Sequence, residues 1–89
     1  MSIDGSILSQ LGLIALNEGN LDDAEHYFRR SLAIREEVQD KPSEGADLGY
    51  LARIALAREI FEGAEQLLRK SLQIAKDVGG KQGEGIVYS

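Results

Sequence analysis

Slid along itself by 40 positions, this chain pairs with itself without a gap. Leu8 falls on Leu48, Leu11 on Leu51, Ile14-Ala15-Leu16 on Ile54-Ala55-Leu56, and Ala24-Glu25 on Ala64-Glu65. Arg29 meets Arg69, Ser31-Leu32 meets Ser71-Leu72, Ile34 meets Ile74 and Val38 meets Val78. Gly5 with Gly45, Lys41 with Lys81 and Glu44-Gly45 with Glu84-Gly85 extend the match at both ends. A period of this length marks a repeat array. Each unit is too small to hide its apolar face alone, and stacking on the next unit buries it.

Within a unit the apolar spacing is helical. Leu8, Leu11 and Ala15 recur at i, i+3 and i+7, with Ile7, Leu11 and Ile14 as a flanking row, and Leu21, Ala24, Phe28, Ser31, Leu32 and Val38 form a second stripe. Between the stripes stands Glu18-Gly19-Asn20. Glycine can close one helix in the left-handed conformation, and asparagine suits the cap of the next. Asp22, Asp23 and Glu25 follow in the first turn, where they complement the helix dipole. The spacing predicts helices over about 5–18, 21–39, 44–58 and 61–78. Asp40-Lys41-Pro42-Ser43 reads as a connector in which Pro42 stops the preceding helix, and Gly79-Gly80 as its counterpart. One domain over 1–89 is expected. It comprises a repeat over about 5–44, a second over 45–84 and the opening of a third, or a cap, over 85–89.

These residues resemble the tetratricopeptide repeat, and the resemblance covers nearly the whole chain. The family's pattern of a large apolar residue, Leu-Gly, a Gly-Asn turn, a buried alanine, an aromatic and a second small residue is met by Leu8, Leu11-Gly12, Ala15, Gly19-Asn20, Ala24, Phe28 and Ser31. Leu48, Leu51-Ala52, Ala55, Ala64, Leu68 and Ser71 meet it again. The usual repeat is about 34 residues; this one is longer by roughly a turn and a half of helix. The second turn departs from the pattern, reading Arg58-Glu59-Ile60-Phe61 without glycine or asparagine, and Gly63 stands in the following first turn. The resemblance implies an all-α fold, a right-handed superhelical solenoid of antiparallel helix pairs. Gly12, Ala24, Ala52 and Ala64 are expected where helices packed about 8–10 Å apart need small side chains.

Composition narrows the function. The 89 residues carry 15 acidic and 10 basic side chains, a net charge of −5. That field repels phosphate backbones, which argues against nucleic-acid binding. The absence of cysteine excludes disulfides and thiolate metal sites. No apolar run reaches about 18 residues, so no membrane span is expected, and the N-terminus lacks the features of a signal peptide. A cytoplasmic protein without cofactor or metal is the resulting expectation. His26 is the only histidine and lies off the apolar stripe, so no second imidazole completes a metal site or serves as a base for a serine. Asp22-Asp23 and Glu36-Glu37 are sequence neighbours, which diverge on a helix and share no site. The glycine-rich stretch at 79–85 lacks the order of a phosphate loop. No enzyme is expected.

The family resemblance implies that the first helix of each repeat lines a concave groove that receives a peptide or partner helix. The positions it assigns are Ser6, Ser9, Gln10, Leu13, Leu16 and Asn17, then Ala46, Gly49, Tyr50, Arg53 and Ala57. Of these, Gln10, Leu13, Asn17, Tyr50, Arg53 and Ala57 are the binding candidates. Gln10 and Asn17 offer backbone hydrogen bonds, Tyr50 an amphipathic contact and Arg53 a carboxylate fork. Packing against neighbouring helices is an equal claim on Leu13, Leu16 and Tyr50. The carboxylate clamp of some family members is not matched, because Arg53 is the lone cation in the set. The alternative function is self-assembly or a structural place in a longer array. It would act through the apolar face of helix 61–78, with Ile86, Val87 and Tyr88 as a tail that could cover that face.

Overall fold

The computed structural model describes residues 5–86, with side chains over residues 5–79. Four helices follow one another: α1 (Gly5–Asn17), α2 (Leu21–Glu37), α3 (Lys41–Ala57) and α4 (Phe61–Ile86). Each packs on the next, α1 on α2, α2 on α3 and α3 on α4. The molecule is a slab of 44 × 37 × 20 Å. Its thin dimension matches two helix diameters of about 10 Å each.

Helices begin at Leu21, Lys41 and Phe61, so each 40-residue unit is two half-units of equal length. The three turns between them are built alike. In the first, the Asn20 amide donates to the Ala15 carbonyl and the Gly19 amide to Leu16. Asp40 to Arg35 with Gln39 to Glu36, and Ile60 to Ala55 with Glu59 to Leu56, repeat the pattern. This is the Schellman closure of a helix, and it needs a left-handed residue at its centre. Gly19 (φ 78°), Gln39 (φ 61°) and Glu59 (φ 61°) take that role. The side chains of Asn20 and Asp40 then accept from the Asp23 and Ser43 amides and cap the helices that follow.

Two expected boundaries move. Residues 40–43 are not a connector: α3 starts at Lys41, with Asp40 as its cap and Pro42 in its first turn, where a missing amide costs nothing. α2 closes at Glu37 through the left-handed Gln39, ahead of Pro42. Gly79-Gly80 is no connector either, since α4 runs through it to Ile86. The register equivalents of Asp40 and Pro42 are Gly80 and Gln82. That stretch therefore has neither a capping side chain nor a ring that would clash with the carbonyl four residues back. The expected opening of a third repeat at 85–89 falls largely outside the described residues.

The core runs through the middle of the stack. Ala15, Ala24, Phe28, Leu51 and Ile54 form one buried cluster, with Leu13, Leu16, Leu21, Leu32, Tyr50 and Leu67 packed around it. Leu8, Leu48, Ala52 and Ala64 are also buried. Gly12 lies against Phe28, and a Cβ there would sit 2.8 Å from the ring. Not every signature residue is inside. Leu11 is 38% exposed while its equivalent Leu51 is 2%, and Leu68 is 45% exposed while Phe28 is 0%. Leu51 and Phe28 face each other's helices across the α2–α3 junction; Leu11 and Leu68 stand on the two ends of the stack. Val38, read as part of the second stripe, lies in the turn and is exposed.

Candidate functional site

Gln10, Leu13 and Asn17 occupy i, i+3 and i+7 on α1, and Tyr50, Arg53 and Ala57 occupy the same three register positions on α3. A hydrogen bond from Ser9 Oγ to Asp47 Oδ1, 2.9 Å long, ties the two helices to each other directly. Gln10, Asn17, Arg53 and Ala57 are exposed; Leu13, Leu16 and Tyr50 are half-buried and pack against the core. The packing expected of these three residues is present, and each keeps part of its surface exposed.

Tyr50 is the most constrained of the set. Its ring stacks on buried Phe28 at 4.9 Å between centroids and 15° between planes. The Arg53 guanidinium carbon lies 5.9 Å from the Tyr50 centroid, within reach of a cation–π attraction. The Phe28 ring on one side and the Arg53 guanidinium on the other restrict the freedom of the Tyr50 side chain. Of the remaining positions, Ser6 is exposed with its hydroxyl 3.4 Å from Arg35 Nη2, and Ala46 is exposed. Ser9 and Gly49 are half-buried.

Beneath this row lies a polar cluster that the sequence reading passed over. Asp47 is 2% exposed. Its carboxylate accepts from Ser9 at 2.9 Å and from Ser31 at 2.5 Å, and Arg35 Nε stands 3.9 Å away. Arg35 also reaches Asp40 at 3.5 Å. A buried carboxylate costs free energy unless hydrogen bonds and a counter-charge surround it, and all three are present here. Ser9, a groove position by family register, and Ser31, a small-residue contact in the repeat pattern, are both held by Asp47. The available signal was one polar residue at the head of the spacing Asp47, Leu51, Ile54, which repeats that of Ile7, Leu11, Ile14.

Where Arg35 fills the space against Gly5, its equivalent Ala75 does not. A cleft of about 450 Å³ opens there, lined by Pro42, Gly45, Ser71, Ile74 and Val78 among others. At the opposite end of α3, Arg58 bridges Glu25 at 2.6 Å and Asp22. Glu25 receives a second guanidinium from Arg29 at 2.8 Å. The Arg29 hydrogen bond, aided by the charges of Arg29 and Arg58, holds the Glu25 carboxyl below its ordinary value despite partial burial. His26 is exposed, with its ring 5.9 Å from that of Tyr27. Among the described residues no group of three or more His, Asp or Glu gathers in a metal-holding arrangement, and no helix is long and apolar enough to cross a membrane.

A family model described as tetratricopeptide repeat matches residues 4–77. Comparison with curated proteins and with solved structures finds no match.

Proposed function

Because this chain belongs to the tetratricopeptide-repeat family, a family of protein-interaction modules, we propose that its α1–α3 row docks an extended peptide or a helix of a partner protein, without catalysis. The braced pair of Tyr50 and Arg53 carries this reading, because it is rigid, partly apolar and charged at its tip. Aromatic and arginine side chains in such settings dominate binding energy at protein interfaces. Gln10 and Asn17 flank it as exposed amides that can bond a peptide backbone, and Leu13 and Leu16 supply apolar floor.

The reading is tested with variants that leave the core intact. Proteins retained from a lysate by the immobilised chain should be lost with Arg53→Glu or Gln10→Ala/Asn17→Ala, while thermal unfolding of both variants stays unchanged. Amide chemical-shift changes on adding a retained partner should fall on α1 and α3. Retention that survives both variants, or shifts confined to other helices, rejects the groove.

A further inference from the structure

α2 and α4 carry register-equivalent residues on the face they turn towards a following helix, yet among the described residues only the face of α2 is covered. Over α2, Tyr50 stacks on Phe28, Leu51 and Ile54 close the same cluster, Asp47 accepts from Ser31, and Arg58 forks across Asp22 and Glu25. On α4, Leu68 stands for Phe28, Ser71 for Ser31, Leu72 for Leu32, and Glu62 with Glu65 for Asp22 with Glu25. There Phe61 is 63% exposed, Leu68 45% and Leu72 56%. With Leu56 and Ala64 they line a cleft of about 260 Å³. By register the chain would turn back at Gly79-Gly80, but α4 continues to Ile86, so no described residue folds over this face.

The covered junction shows what shape fits the open one. Asp47, Leu51, Ile54 and Arg58 lie at i, i+4, i+7 and i+11, one stripe of a single helix. Charge then selects among helices. Glu25 is held by two guanidiniums, Arg29 and Arg58, whereas among the described residues Glu65 pairs only with Arg69 of its own helix at 2.6 Å. The place of Arg58 beside Glu62 and Glu65 calls for a cation. At the other end of the stripe Arg35 has become Ala75, so the residue in the place of Asp47 meets no counter-charge and should be apolar.

A second copy of this chain satisfies half of that description. Its α1 offers Ile7, Leu11 and Ile14 at the three apolar registers, all exposed. In the place of Arg58 it has Glu18, which would meet Glu62 and Glu65 with like charge. Such juxtapositions are how interfaces exclude a partner.

We propose that the outer face of α4 docks one helix of another protein, with apolar residues at i, i+4 and i+7 and a lysine or arginine at i+11 that bridges Glu62 and Glu65. The docking site is separate from the α1–α3 row and does not depend on it.

A labelled peptide of residues 41–58 carrying Asp47→Ile meets every element of that description and serves as the probe, titrated into the full chain by fluorescence anisotropy. Saturable binding is expected. Leu68→Asp, or Glu62→Lys with Glu65→Lys, should each weaken it at least about tenfold, equivalent to about 1.4 kcal/mol. The same two lysines should restore binding of a peptide whose Arg58 is changed to Glu, a rescue that a misfolded variant could not give. Absence of binding overturns the proposal. So does binding insensitive to these substitutions, as would occur if the peptide merely displaced α3 from α2. Oligomers of the chain alone that Leu68→Asp dissolves, seen by sedimentation, would make a second copy the occupant and overturn it equally.

Discussion

Gly12 with Phe28, and Ala52 with Leu68, hold the same pair of register positions with volume divided differently. A methyl group on Gly12 would lie 2.8–3.0 Å from three ring carbons of Phe28, too close for either to remain in place. Gly12→Ala should therefore destabilise by about 1–3 kcal/mol through overpacking. In a Phe28→Leu background, which restores the combination of the second repeat, most of that cost should vanish. Denaturant unfolding of the two single variants and the double variant measures the coupling; strictly additive losses would show that the two positions do not share space. The same principle explains why identical signature residues differ in burial. Leu51 is 2% exposed and Leu11 38%, and only the neighbour supplied by stacking separates them. Periodicity in a sequence announces which face of a helix is apolar; it is silent on whether that helix is interior or terminal.

At the scale of elements, turn geometry was legible where it used the customary residues and illegible elsewhere. Gly19-Asn20 announced both a left-handed centre and a cap, and both are found. Gln39 and Glu59 adopt the same conformation without any preference for it, because packing of the flanking helices dictates where the chain reverses. That is why α3 was expected near residue 44 and begins at Lys41. Both side chains pay a left-handed penalty that glycine avoids. Gln39→Gly and Glu59→Gly should each raise stability by up to about 1 kcal/mol, read as an upward shift in the melting temperature. A drop would mean that these side chains contribute more than their backbone strain costs. The over-long α4 has the opposite origin. A glycine pair looks like a stop, but glycine only permits one, and the equivalents of Asp40 and Pro42 that would enforce it are missing.

At the scale of the whole molecule, the ion pairs that join different helices among the described residues lie at the junction between repeats. Arg58 joins the end of α3 to the start of α2, and Glu25 is held below its ordinary value of 4.5, first by Arg29. The unfolded chain then binds a proton at Glu25 more readily than the folded one. Its stabilising contribution is full above about pH 4.5 and fades as pH falls towards the depressed value. Melting temperature should decline on acidification from about pH 5 to 3, and Glu25→Gln should flatten that decline. Equal slopes for both proteins would remove Glu25 from the account. The all-helical stack, its period and its small-residue contacts were readable from the chain alone. The α1 and α3 rows of the proposed docking site follow from register, but the stacking of Tyr50 on Phe28 crosses two helices and no local pattern encodes it. Asp47 escaped notice for the same reason, since its partners come from α1 and α2.

Asp47, Arg35 and Arg58 also make the two halves of this protein non-interchangeable. Cut the gene in the turn between Gln39 and Asp40 and rejoin the halves in reverse, and every helix would keep its sequence. The new seam, however, would set Ile7 beside Ala75 and Glu18 beside Glu62 and Glu65, while Asp47 and Arg35 would be parted at opposite extremities. The two repeats are near-copies, and three charged side chains fix their order along the chain.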